Sequence, residues 1–125
     1  MLVSVFVRRL KEGCTFDDFV REWEADRGFG VPTRVLNAQR LDDPRDVLTI
    51  GFVDIDPTEL AGGMAAVADQ EAVRHERIDT VIESTTLKAM FEVRSEHDFT
   101  TLPQPIALTG PDSLLHTLRA ERDAG

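Results

Sequence analysis

The stretch that decides the fold is Leu2–Leu10, with the sequence LVSVFVRRL. It is rich in β-branched and aromatic residues, a composition typical of a β-strand. Side chains alternate along a strand, so the valines at positions 3, 5 and 7 share one face, and Leu2, Phe6 and Leu10 share the other. A strand that is apolar on both faces is covered on both. One layer of helices covers only one face of a small sheet, and we therefore expect a second copy of the chain to cover the other.

A helix is expected directly after this strand. Thr15 is a good N-cap, and the two aspartates that follow Phe16 favour the positive end of the helix dipole. Apolar side chains then recur at helical spacing, at Phe16, Phe19, Val20 and Trp23. We expect Gly28 to end this helix in a left-handed conformation.

Four more elements follow in the first 95 residues. They are a strand, a second strand, a helical region and a last strand, over residues 33–41, 47–55, 56–83 and 85–95. The turn-forming residues between the first two make a hairpin. Asp56 is a plausible N-cap for the helical region, and the glycine pair at positions 62 and 63 leads us to expect a break near Asp69.

The order strand, helix, hairpin, helix, strand is the ferredoxin-like βαββαβ arrangement of an α+β protein. It implies a four-stranded antiparallel sheet with two helices on one face, formed by residues 1–95. Residues 96–125 form a C-terminal extension, and residues 111–122 within it are predicted as a short helix with three leucines on one side.

Composition limits the partners and the compartment. The chain has 125 residues, a length at which one domain buries roughly two-thirds of its unfolded surface. Its net charge of −9 argues against nucleic acid, because phosphate backbones repel such a surface. No segment approaches the ~20 apolar residues of a membrane span, and the N-terminal run does not resemble a signal peptide. A single cysteine, Cys14, fits a reducing compartment, and we expect the cytoplasm.

His75 is the candidate catalytic residue. It shares a helical face with Ile78 and Ile82, and Glu71 and Asp79 lie one turn away, where either carboxylate could orient the imidazole. A partly buried imidazole held by a carboxylate can act as a general base. The alternative is a histidine at the border of the helix stripe, paired with its neighbouring acids.

Four residues are candidates for substrate binding. Arg8 and Arg9 point to opposite faces of the first strand, so one of them should face the cavity side, where it could bind an anionic group; the alternative is a strand-end arginine that extends to solvent. Asn37 either lines a pocket or belongs to a polar dimer seam. Trp23 packs by default, but a buried indole N–H needs a partner, which a ligand could provide.

We expect neither a metal nor a cofactor. The three histidines are far apart in the sequence, and none belongs to a ligand pair such as H-x-x-x-H. The sequence also contains no dinucleotide fingerprint, phosphate-binding loop or G-x-S-x-G elbow.

A sheet with two apolar faces, a broken second helix and a histidine late in that helix make the chain resemble the dimeric α/β-barrel superfamily, which includes antibiotic-biosynthesis-monooxygenase-like proteins. The resemblance implies two sheets packed face to face across a homodimer, with a cavity between sheet and helices in each subunit. Some members that degrade haem combine such a histidine with an Asn on the first strand and a Trp on the second helix. Here the first strand has no Asn and Trp23 lies on the first helix, so the resemblance does not extend to haem degradation.

Two functional hypotheses follow. The first is a small-molecule-binding protein or a cofactor-independent enzyme, oxygenase-like or isomerase-like, that uses the cavity between sheet and helices. The second is a non-catalytic dimeric binding or assembly module. An enzyme needs a cavity of about 300 Å³ or more with converging polar groups. The module predicts that Phe6, Phe52 and Phe91 fill that space. The sequence does not decide whether the chain is an enzyme.

Overall fold

The computed structural model describes residues 1–116 and 118 of the chain. The elements, in chain order, are β1 (Leu2–Leu10), α1 (Phe16–Trp23), β2 (Thr33–Gln39), β3 (Asp46–Val53), a 3-10 turn (Pro57–Glu59), α2 (Leu60–Asp79), β4 (Ile82–Glu92), β5 (Glu96–Asp98) and β6 (Gln104–Ile106). The described part of the chain is therefore a mixed α+β structure with a four-stranded sheet and two α-helices.

The large sheet has the strand order β2-β3-β1-β4, and every neighbouring pair is antiparallel. This arrangement is compatible with a ferredoxin-like fold. β1 occupies a central position, as expected for a strand that is apolar on both faces. Its pairing with β4 shifts register between Val7 and Arg8 and again between Arg9 and Leu10.

Both helices pack on one face of this sheet. The core cluster joins side chains of β1, β3, α1, α2 and β4, namely Leu10, Phe19, Val47, Ile78 and Ile82. Strand alternation places the β1 valines on the opposite face, together with the even-numbered apolar residues of β3. We call this surface the open face. It retains large apolar side chains in contact with solvent, with Leu36 61% and Phe91 52% exposed.

α1 begins as predicted and ends earlier than predicted. The Thr15 Oγ1 atom accepts a hydrogen bond from the backbone N–H of Asp18, and the Asp18 carboxylate accepts one from the backbone N–H of Thr15. The prediction that Gly28 ends the helix in a left-handed conformation is wrong, since α1 ends at Trp23 and Gly28 has no positive φ. Arginine side chains of α2 bind the carbonyls at this helix end, as described below.

α2 is continuous, so the predicted break near Asp69 is wrong, and it ends at Asp79 rather than at residue 83, with Ile82 beginning β4. The glycine pair lies in the first turn of the helix, where it does not interrupt the later hydrogen bonds. A Cβ atom built on Gly63 would lie 3.0 Å from the Ile55 Cδ1 atom. Glycine at this position allows a close approach between α2 and the segment after β3.

The extension contains a short hairpin, β5–β6, that the sequence reasoning did not predict. The Glu96 carboxylate connects it to the following turns, accepting hydrogen bonds from Ser113 Oγ at 2.7 Å and the Leu114 backbone N–H at 3.0 Å. The predicted helix over residues 111–122 lies in part outside the described residues. Within them, residues 111–115 are turns and bends, and Leu115 and Leu118 are buried.

Candidate functional site

A cavity of about 640 Å³ lies between the helix-covered face of the sheet and α2. Ligand sites in proteins fall in the range of roughly 300–1,000 Å³. Most of the lining is apolar, and its aliphatic part comes from the sheet, from α2 and from the segment that joins them, including Val35, Val53, Ile55, Leu60, Met64 and Val67. The aromatic rings of Phe6 and Trp23 also line the cavity.

The cavity is not filled in the way that the assembly-module hypothesis predicts. Phe6 stands at its wall, and Phe52 and Phe91 do not line it. Register explains the difference, because Phe52 and Phe91 both pair with Val3, whose side chain lies on the open face.

Arg8 is a buried cation of the cavity. Its side chain lines the space although the residue is only 3% exposed. Its Nη1 atom donates to Thr49 Oγ1 at 3.4 Å, and its guanidinium carbon lies 4.2 Å from the centroid of the Phe6 ring. Burial lowers the pKa of Arg8 to about 10, with Asp79 acting in the opposite direction. The guanidinium therefore remains charged at neutral pH.

A hydrogen-bonded chain crosses three strands behind this cation. The Thr49 hydroxyl donates to Asn37 Oδ1 at 2.7 Å and accepts from Arg8. Because the only hydroxyl proton of Thr49 is used on Asn37, a lone pair of the same oxygen faces the guanidinium. Asn37 does not line the cavity itself, and its connection to the cavity is the hydrogen bond that it accepts from Thr49.

His75 is half-buried and lines the cavity. Its ring packs against Phe6, with ring centroids 5.6 Å apart and planes inclined by 59°. Burial lowers the pKa of His75, and the nearby charge of Arg8 lowers it further, while Glu71 acts in the opposite direction. The imidazole is therefore neutral at neutral pH and able to accept a proton.

The predicted carboxylate partners of His75 do not form hydrogen bonds with it. Both carboxylate oxygens of Glu71 accept from Arg74 Nη1, at 2.7 and 2.8 Å. Within the described part of the chain, neither Glu71 nor Asp79 is hydrogen-bonded to the imidazole. The contact that the structure shows for the His75 ring is its packing against Phe6.

Trp23 forms one wall of the cavity, and Arg74 holds it there. The Arg74 guanidinium carbon lies 4.9 Å from the centroid of the indole ring, and its Nε and Nη2 atoms donate to the Trp23 carbonyl. Sequence reasoning did not select Arg74. The only signal was Glu71 three residues earlier on the same helix.

Arg9 lies away from the cavity. Its Nη1 atom forms ion pairs with Asp43 at 2.9 Å and Asp46 at 2.8 Å, and its Nε atom lies 3.6 Å from Glu83. Hydrogen bonds to Asp43 and Asp46 raise the pKa of Arg9. Of the two neighbouring arginines, the structure places Arg8 in the cavity and Arg9 in a network at the sheet end.

Lys88 is a further lining residue that sequence reasoning missed. It pairs with Phe6 across β1 and β4, and its Nζ atom lies 5.8 Å from the Phe6 ring centroid. The charged lining residues are Arg8, Arg74, Lys88 and Glu71. The cavity thus carries three basic groups and one acidic group in a chain whose net charge is −9.

A second depression of about 620 Å³ lies between the end of α1 and the outer side of α2. Mostly charged or polar side chains line it, and of the predicted site residues it contains none. No set of three His, Cys, Asp or Glu side chains in residues 1–116 is arranged to hold a metal ion. Across the same residues, no helix combines the length and apolar character of a membrane span.

Comparisons of the chain with protein-family models, with curated proteins and with solved structures give no match. We therefore infer the function from the geometry of the site.

Proposed function

We propose that this chain is a small-molecule-binding protein whose ligand occupies the cavity between the sheet and α2. The observation that supports this proposal is a largely apolar cavity of about 640 Å³ that the buried Arg8 guanidinium and the neutral His75 imidazole line. A packed module without a ligand has no need for such a space, because protein interiors are close-packed and voids forfeit contacts.

The proposal includes a catalytic role for His75 in a cofactor-independent reaction. A neutral imidazole beside a buried guanidinium can remove a proton from a bound molecule, while the guanidinium stabilises the negative charge that develops. These are the requirements of an isomerase-like or oxygenase-like reaction that begins with a carbanion or enolate. Trp23 and Phe6 provide flat apolar walls for the molecule.

The open face supports a second part of the proposal, a homodimer with the architecture of the dimeric α/β barrels. The centre of that face is apolar on all four strands, Arg9 and Asp46 pair with each other at one end, and Arg34 lies exposed near the other end beside Phe52. A second copy presents the same apolar centre, so two copies can pack there with the charged residues left at the ends of the strands. The single Cys14 supports a cytoplasmic location.

Fluorescence of a neutral apolar probe, N-phenyl-1-naphthylamine, tests the binding site. Ala68 lines the cavity and Ala66, on the same helix, does not, so Ala68→Phe and Ala66→Phe form a matched pair. We expect saturable binding of one probe per chain in the wild type and in Ala66→Phe, and its loss in Ala68→Phe. The proposal is overturned if the probe does not bind to the wild type. It is also overturned if Ala68→Phe leaves probe binding unchanged, since the probe then binds outside the cavity.

A further inference from the structure

We infer that the ligand of the cavity is an amphipathic organic acid, with its carboxylate at Arg8 and its apolar body against the aliphatic walls. The inference rests on the proposed function and names the chemical class of ligand for the same cavity.

The first argument is the contrast between the cavity and the whole chain. The chain carries 23 acidic and 14 basic residues, yet three basic side chains and one acidic side chain line the cavity. That acidic residue, Glu71, already accepts hydrogen bonds from Arg74 with both carboxylate oxygens. The charges of Arg8 and Lys88 are left for a molecule that enters the cavity.

The second argument is the state of Arg8. A buried arginine is ordinarily paired with an anion, because an isolated buried charge is costly. Here the hydrogen bond of the side chain goes to the neutral Thr49 hydroxyl at a long 3.4 Å, and no carboxylate of the described residues accepts one. Asp79 faces Arg8 only at a distance and is exposed. A guanidinium has five N–H donors and matches a carboxylate with two parallel hydrogen bonds.

The third argument concerns the rest of the ligand. Apart from the charged groups, Ser4, Thr33, Thr49 and His75, the lining is aliphatic, aromatic or glycine. These apolar walls contribute no hydrogen-bond partners to the polar outline of a sugar or a nucleotide. They fit a hydrocarbon or aromatic body that carries a single acid group.

The experiment compares two molecules that differ only in whether the ring carries a carboxylate or a neutral carboxamide. Displacement of N-phenyl-1-naphthylamine is measured with 2-naphthoate and with 2-naphthamide, which share one ring system. We expect the acid to bind about tenfold tighter or more, the ratio for one charge-assisted hydrogen bond to a buried cation. Arg8→Met should abolish the preference, Lys88→Gln should reduce it, and Arg94→Met, an exposed arginine that does not line the cavity, should leave it unchanged.

Each outcome has one meaning. Equal or tighter binding of the amide to the wild type overturns the inference, as does a preference for the acid that persists in folded Arg8→Met. If Arg8→Met does not fold, the wild-type ratio and the Lys88→Gln variant decide, since Lys88 is exposed and not needed for the core. Failure of the proposed function is distinguishable from failure of this inference. In the first case the naphthylamine probe shows no binding that Ala68→Phe abolishes, whereas in the second the probe binds but the acid is not preferred.

Discussion

The side chain of Arg74 binds the backbone carbonyl of Trp23 with two nitrogen atoms, at 3.1 Å from Nε and 2.6 Å from Nη2, while stacking on the indole ring of the same residue. The carbonyls in the last turn of a helix have no partner within the helix. One buried guanidinium therefore ends α1, fixes a wall of the cavity and neutralises Glu71. The same relationship connects α1 to α2 across 51 positions of sequence.

Replacement of Arg74 should be costly for stability. Arg74→Met keeps an unbranched side chain but leaves the Trp23 carbonyl and the Glu71 carboxylate without their donor. We expect the free energy of unfolding to fall by about 2–3 kcal/mol, the range for loss of hydrogen bonds to a charged group in a buried site. Urea denaturation followed by circular dichroism measures the change.

Arg77→Met is the matched control for this prediction. Arg77 lies on the same helix and donates to the Glu24 carbonyl at 2.6 Å, but it is exposed. Its loss should cost about 1 kcal/mol or less. Equal effects of the two substitutions would show that Arg74 acts as an ordinary surface residue.

The start of α1 gives a second stability prediction. Thr15→Ala removes the oxygen that accepts from the Asp18 N–H at 3.1 Å and should lower the free energy of unfolding by about 1 kcal/mol. Thr15→Ser retains the acceptor and serves as the control in the same urea titration. The helix-cap explanation is wrong if the serine variant loses as much stability as the alanine variant.

Local sequence signals predicted the elements that local interactions form. The capping residue Thr15 and the alternation of β1 depend on neighbouring residues, and both are found as predicted. The end of α1 was mispredicted because Arg74, far along the chain, binds its last carbonyl. Glycine at position 28 was a local signal that this distant contact overrides.

The site was predictable only in part, for a related reason. Alternation shows that Arg8 and Arg9 face opposite ways, but β1 is apolar on both faces, so its sequence does not reveal which face the helices cover. The structure shows that Arg8 shares the helix-covered face with Phe6 and Leu10. The position of Lys88 in the cavity depends on the register of β4 against β1. That register shifts at two places and cannot be derived from the sequence of either strand alone.

The open face yields a prediction about oligomeric state. Phe91 is half exposed on the edge strand β4, so the Phe91→Lys chain should still fold. In a dimer packed through the open face, the new lysine would be buried without a partner. We expect wild type to sediment as a dimer at micromolar concentration and the variant to dissociate at concentrations about a hundredfold higher or more. Leu41→Lys, at a fully exposed position outside the sheet, should remain dimeric. A monomeric wild type, or a dimeric Phe91→Lys, would contradict the face-to-face arrangement.

His75 gives the last prediction, a pH dependence of stability. Burial and the charge of Arg8 lower the pKa of His75 below its usual value of 6.5, so the unfolded chain binds this proton more tightly than the folded chain. Between the lowered pKa and 6.5, the unfolded state carries more protons, and the free energy of unfolding therefore rises with pH across that window. Below the lowered pKa both states are protonated, and the contribution of His75 no longer changes.

The comparison of wild type with His75→Gln isolates this effect from the carboxylates. Asp18, Asp43 and Asp56 have pKa values lowered from 3.8, so their contributions to stability are lost in more acidic solution than that of His75. Urea midpoints measured from about pH 5 to about pH 7.5 should rise more steeply for wild type than for His75→Gln. Parallel slopes would mean that the imidazole is not desolvated in the folded chain. A saturating organic acid should flatten the wild-type slope, because its carboxylate beside Arg8 raises the pKa of His75 back toward the value in the unfolded chain.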